Sequence, residues 1–166
     1  MYQHEVKDEF LREIGHIAVS FSLLEEILRF LVVGLINEPQ RIGVVITSEL
    51  SFKDLKALAV SIFKEKLGEG AEFEQLKKLI KQITALEDER NRVFHSGWGT
   101  SDDRPEVITR SKDTAKERHG LRFAFEDYTV EKLRQIGNSM LALAGDIEEF
   151  QQSLIDARGI DDPYQK

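Results

Sequence analysis

Cysteine is absent from this chain of 166 residues. Its absence excludes a disulfide framework, thiolate metal sites and a cysteine nucleophile. A long apolar run is also missing, because the most apolar stretch, 27–36, is short and contains Arg29, so it cannot span a bilayer. Residues 1–9 are mostly polar and acidic, which is unlike a secretory signal. We therefore expect a cytoplasmic protein with no membrane contact.

Patterns typical of cofactor and metal sites are missing too. Gly68 and Gly70 are not followed by the residues that complete a phosphate-binding loop. The four histidines are scattered without zinc-like spacing, so we expect neither a cofactor nor a metal. Cations are in deficit, with a formal net charge of −7. This charge argues against nucleic-acid binding over the whole surface, but it leaves room for a local basic site.

The chain has strong helical periodicity. Apolar residues step alternately by four and three through 5–36 and again through 130–157, which predicts two long helices. Between them, Ser51 begins a capping box that predicts a helix over 52–67. An apolar stripe predicts a further helix over 72–95. These four segments define the helical part of the fold.

One short segment and a hairpin complete the expected fold. Residues 40–50 are ambiguous between a short helix and irregular chain. The segments 107–109 and 121–125 predict two strands of a hairpin, joined by a long, charged connection. The expected fold class is all-α, an up-down bundle of four to five helices. A small β-hairpin is inserted at about 100–128, between the third and fourth long helices.

The predicted bundle forms one domain over 1–166, with a loose tail at 159–166. The first helix would be about 45 Å long at 1.5 Å per residue. A bundle of this size leaves part of such a seam uncovered, and a second copy of the chain is the simplest cover. We therefore expect a homodimer, although a kink near Gly15 would let the helix pack within one chain.

An arginine occupies the middle of the apolar stripe in the helix over 72–95. At about 100° per residue, Arg90 falls beside Ile83, where an unpaired cation is costly. Asn91 and His95 are four residues apart and share the adjoining face. The three polar side chains therefore meet at the border of the buried stripe, where a partly enclosed site forms.

This arrangement resembles the HEPN superfamily, whose signature is an arginine followed by a polar residue, with four to six residues between that arginine and a histidine. Here Arg90, Asn91 and His95 match it, and they stand at the end of the third long helix of a four-helix domain. The resemblance implies a site that binds or cleaves RNA. In catalytic members, the arginine and histidine of two subunits meet across a homodimer, and no metal is needed.

The resemblance also implies roles for the matching residues. Arg90 holds the scissile phosphate and stabilises its developing charge. His95 moves a proton from the attacking 2′-hydroxyl or to the leaving 5′-oxygen, and Asn91 orients His95 or the phosphate. The product would be a 2′,3′-cyclic phosphate. The expected function is a metal-independent endoribonuclease, in the role of a toxin or defence component with an antitoxin or other protein partner.

Neighbouring residues are candidates for substrate contacts. Arg92 points away from the stripe and would at most contact RNA backbone. Trp98 either stacks on a base or closes a core. Arg110 and Arg122 belong to a basic cluster that either supplies phosphate contacts or forms a solvated loop. The other members of that cluster are Arg104, Lys112, Lys116, Arg118 and His119.

Two structural alternatives remain open. Glu25 lies on the edge of the first helix's apolar stripe and is a supporting residue that would pair with Arg90. Such a pair either fixes the helix register without catalysis or orients Arg90 for it, and His95 would then merely cap its helix. The alternative functions are a non-catalytic HEPN-like module that binds RNA, nucleotide or protein, and a plain helical oligomerisation domain.

Overall fold

The structure is a computed structural model, and it describes residues 6–116, 120–160 and 162. The described part is mostly helical, with one small antiparallel sheet, as the periodicity predicts. The helices are α1 (Asp8–Ile36), α2 (Gln40–Ser48), α3 (Phe52–Leu67), α4 (Ala71–Phe94) and α5 (Val130–Arg158), and the strands are β1 (Gly97–Gly99), β2 (Val107–Lys116) and β3 (Gly120–Thr129).

The apolar seam of α1 is buried within the chain itself. Seven of its eight members, at 10, 17, 21, 24, 28, 31 and 35, are at most 7% exposed, and the eighth, Ile14, is half-buried. Burial of these side chains stabilises the fold by roughly 1.5–3 kcal/mol each relative to exposure. A homodimer was expected because a bundle of this size would leave part of the α1 seam exposed. The seam is largely covered within one chain, so this argument for a homodimer does not hold.

The predicted helix starts are confirmed where polar caps mark them. The Ser51 hydroxyl accepts from the backbone N–H of Asp54 at 3.2 Å, which satisfies a free donor in the first turn of α3. The Thr129 hydroxyl does the same for Lys132 at 3.1 Å and begins α5. The ambiguous segment 40–50 contains the helix α2.

The predicted hairpin is larger than its apolar pattern indicates. β2 and β3 pair along ten residues each, and β1 pairs with β2, giving the antiparallel order β1-β2-β3. Much of the expected long connection is therefore strand, and its remainder, 117–119, lies outside the described residues. The extension was missed because the outer parts of β2 and β3 are exposed, so burial imposes no apolar alternation there.

The described chain divides into two compact units. Unit 1 comprises the residues up to Phe21 together with Leu86–Ser139, and it contains the sheet. Unit 2 comprises Ser22–Ala85 and the residues from Met140 onward. In unit 2, the Phe63 ring lies 5.9 Å from that of Phe73 and 6.1 Å from that of Phe150. These aromatic pairs mark the core of unit 2.

In unit 1, α1 and α5 approach closely at a glycine. A Cβ on Gly137 would lie 2.3 Å from Cδ2 of His16, so no larger residue fits without a shift. The His16 ring lies between two polar groups, with Nε2 3.2 Å from Asn138 Oδ1 and Nδ1 3.4 Å from the Ser20 hydroxyl. Nearby, Arg134 forms a 2.9 Å ion pair with the buried Glu13.

Candidate functional site

The Arg90 guanidinium in α4 is held by aromatic rings and one amide. Its central carbon lies 5.3 Å from the Phe21 ring centroid and 5.0 Å from that of Phe94. One terminal nitrogen donates to Asn91 Oδ1 at 3.1 Å. Within unit 1, as far as the structure describes it, no carboxylate pairs with this cation. A half-buried guanidinium with this support keeps N–H donors for an anion.

Asn91 is oriented towards Arg90. Because its Oδ1 accepts from the guanidinium, its Nδ2 hydrogens remain available to an acceptor beyond it. Asn91 was predicted to orient either His95 or a phosphate, and in unit 1 as described its side chain bonds to Arg90 and not to the His95 ring. The link between these two residues is the helical backbone bond from His95 N to Asn91 O, at 3.0 Å.

His95 is exposed and immediately follows the last residue of α4. Its backbone bond keeps it in helical register, which sets its Cα about 7–8 Å along the axis from that of Arg90. A phosphodiester is of the size to lie between a guanidinium and an imidazole at that separation. The arrangement can therefore bind one anion and move one proton beside it.

Trp98 has a structural position. Its Nε1 donates to the carbonyl of Val93 at 3.1 Å, and its ring meets that of Tyr128 edge-on at 5.3 Å. The first contact satisfies a carbonyl left free at the carboxyl end of α4. These contacts match the core-closing interpretation of this tryptophan better than stacking on a base.

Arg110 was predicted to contact substrate, yet it is only 8% exposed. Its Nε donates to the Ser96 hydroxyl at 2.8 Å, and its Nη1 pairs with Glu126 at 3.0 Å. Glu126 also accepts from Lys132 at 2.8 Å and from the Tyr128 hydroxyl at 3.2 Å. Arg110 is thus committed to a network that fixes the turn following His95.

The network shifts the protonation of its acids. The Lys132 ammonium, followed by Tyr128 and Arg110, holds the pKa of Glu126 below its usual range, against the opposing effect of burial. Burial raises the pKa of Tyr128 to about 12, and the carboxylates of Glu126 and Glu89 add to the rise. Sequence reasoning missed this cluster. The cluster follows from the strand register, which sets Arg110 opposite Glu126. That register can be predicted only when both strands are known over their full length.

The other predicted residues are spread over the surface. Arg92 is exposed and pairs with Glu89 at 3.1 Å, and Arg122 is exposed on β3. Glu25 accepts from Arg29 at 3.2 Å, in unit 2. The suggested Glu25–Arg90 pair joins residues of different units and stays a prediction.

The basic cluster of the hairpin is smaller than predicted. Arg104 is neutralised by Asp127, and Arg110 by Glu126. Arg118, His119 and the side chain of Lys116 lie outside what the structure describes. Arg122 and Lys112 remain as candidate phosphate contacts.

Comparison with protein-family models, with curated proteins and with solved structures finds no match to this chain. Among the described residues, no group of three or more histidine and carboxylate side chains is arranged to hold a metal ion. No helix in this part of the chain has both the length and the apolar character needed to cross a membrane.

Proposed function

We propose that this protein is a metal-independent endoribonuclease of HEPN type, with Arg90, Asn91 and His95 at its cleavage site. The observation that carries the proposal is the setting of Arg90. The guanidinium is half-buried, rests near two aromatic rings and has no carboxylate partner in the described part of unit 1. A cation in such a position is costly unless it gains from an anionic ligand, and the planar fork of arginine suits a phosphate.

The proposed reaction uses the three residues together. The substrate 2′-oxygen attacks phosphorus, the bond to the 5′-oxygen breaks, and a 2′,3′-cyclic phosphate remains. Arg90 and the Asn91 amide donate to the non-bridging oxygens as their charge grows. His95 takes the proton of the 2′-hydroxyl or gives one to the leaving oxygen.

A homodimer would complete this chemistry. Cleavage needs one base and one acid, and each chain offers one imidazole at this site. A second copy would supply the other, which makes the proposed site a composite one. A role as a toxin or defence component, with an antitoxin or other protein partner, is part of the same proposal and rests on the resemblance alone.

Single-stranded RNA incubated with purified protein in EDTA tests the proposal. Wild type should cut it, and His95→Ala should lose roughly 10²–10⁴-fold in rate. Arg90→Met should lose roughly 10²–10³-fold. Arg158→Met is the matched control, because Arg158 is exposed, paired to Glu72 and outside the proposed site, and its rate should stay within a few-fold. Mass spectrometry should show 2′,3′-cyclic ends. Cleavage by His95→Ala at the wild-type rate would exclude the mechanism.

Mixing subunits tests the composite site. Excess His95→Ala protein should poison wild-type subunits, so that activity falls faster than the wild-type fraction. Strict proportionality to the wild-type fraction would instead assign the reaction to a single chain.

One observation favours a second candidate, a non-catalytic RNA-binding module. The His95 ring is exposed, and no described residue of unit 1 donates to it or accepts from it. A catalytic imidazole is usually oriented by a second group. If wild type binds RNA without cutting it and Arg90→Met weakens binding, this candidate replaces the first.

A further inference from the structure

Strand β3 presents a row of large apolar side chains to solvent. Leu121, Phe123 and Phe125 are 60%, 62% and 70% exposed, and alternation places all three on one face of the sheet. In the described chain β3 lies at the sheet edge, with β2 on one side. An edge strand offers unpaired backbone groups to another strand, and natural edges are usually protected against this.

The usual protections are absent from the exposed half of β3. Residues 121–125 contain no proline and one charge, Arg122, which lies on the opposite face from the phenylalanines. The segment is rich in residues that favour strands. An exposed apolar row beside an open edge is typical of an interaction surface.

The sequence of β3 is complementary to itself. Consider two copies of β3 paired antiparallel about a two-fold axis perpendicular to the sheet. Even-numbered residues then lie opposite even-numbered residues of the other copy, and odd-numbered residues opposite odd-numbered ones. With the axis at Ala124, Phe123 lies opposite Phe125 of the other copy. In the same register Arg122 lies opposite Glu126 of the other copy, on the other face. With the axis at residue 123, Phe123 faces its own image and Leu121 faces Phe125, but Arg122 no longer faces Glu126. With the axis at residue 125, Phe123 faces Asp127.

We propose that β3 pairs with β3 of a second copy of this chain, centred on Ala124, to form a continuous six-stranded sheet. Each interface contains two Phe123–Phe125 contacts and two Arg122–Glu126 contacts, which are the cross-strand pair types that stabilise sheets. Glu126 already accepts from Arg110, Tyr128 and Lys132. About one of its roughly four acceptor sites is left for Arg122 of the other copy, so the Phe123–Phe125 contacts carry most of the proposed interface.

The charges favour a second copy over RNA as the occupant of this face. Asp113 lies directly opposite Phe123 on the same face. Lys112 and Arg122 lie on the opposite face, by the alternation of the register. A carboxylate beside the apolar row disfavours a phosphate backbone there.

This interface is separate from the composite cleavage site. His95 precedes β1, and the two copies of β1 would be five strand spacings of about 4.8 Å apart, or about 24 Å. The two imidazoles therefore do not share a cleft across the β3 pair. Pairing through β3 therefore does not depend on whether the protein cleaves RNA.

A single introduced cysteine tests the register, because the chain has none of its own. Ala124 is the residue that faces its own image. Opposed Cα atoms in an antiparallel pair lie about 4.5–5.5 Å apart, within the range that a disulfide spans. With diamide as oxidant, Ala124→Cys should form a covalent dimer rapidly. Leu121→Cys is the control, since its image is six residues away, or about 20 Å along the strand.

Sedimentation equilibrium tests the apolar contact. Phe125→Thr removes both copies of its contact and should weaken association through β3 by about tenfold or more. The dimer proposed for RNA cleavage uses another surface and should survive this substitution, so the loss is read in assemblies that need β3. Val19→Thr is the matched control, because Val19 is 72% exposed on α1, and its dimer should be unchanged. A wild type that stays monomeric at high micromolar concentration, or cross-linking of Ala124→Cys no faster than Leu121→Cys, would overturn the proposal. A monomer whose RNA affinity falls in Phe125→Thr would overturn it in favour of RNA.

Discussion

Replacing Arg90 by methionine separates the folding role of this residue from its functional role. The substitution removes two ring contacts, each worth about 0.5–2 kcal/mol, and one charge-assisted hydrogen bond worth about 1.5–3 kcal/mol. In return, methionine places an apolar side chain on an apolar stripe. Its burial contributes up to about 1.5–3 kcal/mol, and sulfur–aromatic contacts with the same rings add about 0.3–1.5 kcal/mol. The two sides largely cancel, so the free energy of unfolding should change by less than about 2 kcal/mol.

Urea unfolding followed by circular dichroism measures this change. The competing account has Arg90 in a buried ion pair with a carboxylate such as Glu25. Breaking such a pair from one side costs about 3–5 kcal/mol, since the other charge is left buried and unpaired. A loss in that range would refute the reasoning. Glu25→Gln checks the result, because it should have little effect if Glu25 serves only its half-exposed pair with Arg29.

Two further predictions concern Gly137 and Tyr128, which both belong to unit 1. Gly137→Ala should lower the free energy of unfolding by about 1–3 kcal/mol, because the new Cβ meets the His16 ring, whereas Gly145→Ala on the same helix has open space and should stabilise by up to about 1 kcal/mol. Equal effects of the two on urea midpoints would contradict the close packing at Gly137. Tyr128 should ionise at a pKa of about 12 in near-ultraviolet absorbance, above the ordinary value of 10.0. Because the folded pKa is the raised one, stability from the neutral phenol is full below about pH 10 and falls towards pH 12, and Tyr128→Phe should remove that part of the alkaline loss. Ionisation of Tyr128 near pH 10 would show that the phenol is hydrated.

The long helices were predictable because burying one face of a helix requires apolar residues at steps of three and four. The heptad seam of α1 and the caps at Ser51 and Thr129 are local signals, and the structure contains all three. The short strand β1 has no such signal, since a Gly-Trp-Gly segment becomes a strand only by pairing with β2. Most of β2 likewise depends on backbone pairing with distant residues, which a local pattern does not encode.

In the candidate site, the positions of residues within α4 were predictable, but the contacts with other elements were not. The helical period places Arg90 on the stripe and sets Asn91 beside it, and Phe94, four residues on, was visible as a neighbour. The second ring, Phe21, is 69 positions away and only tertiary packing brings it to the guanidinium. The burial of Arg110 was equally hidden, because it depends on strand register and not on the basic composition of the hairpin.

The initial rate of RNA cleavage in EDTA, compared between wild type and Arg90→Met protein of equal stability, tests the central claim most directly. The central claim is that the Arg90 charge binds the scissile phosphate and contributes little to the stability of the fold. It predicts a rate loss of roughly 10²–10³-fold in a protein that unfolds at nearly the wild-type urea concentration. Equal rates in the two proteins, or no metal-independent cleavage by wild type, would contradict it.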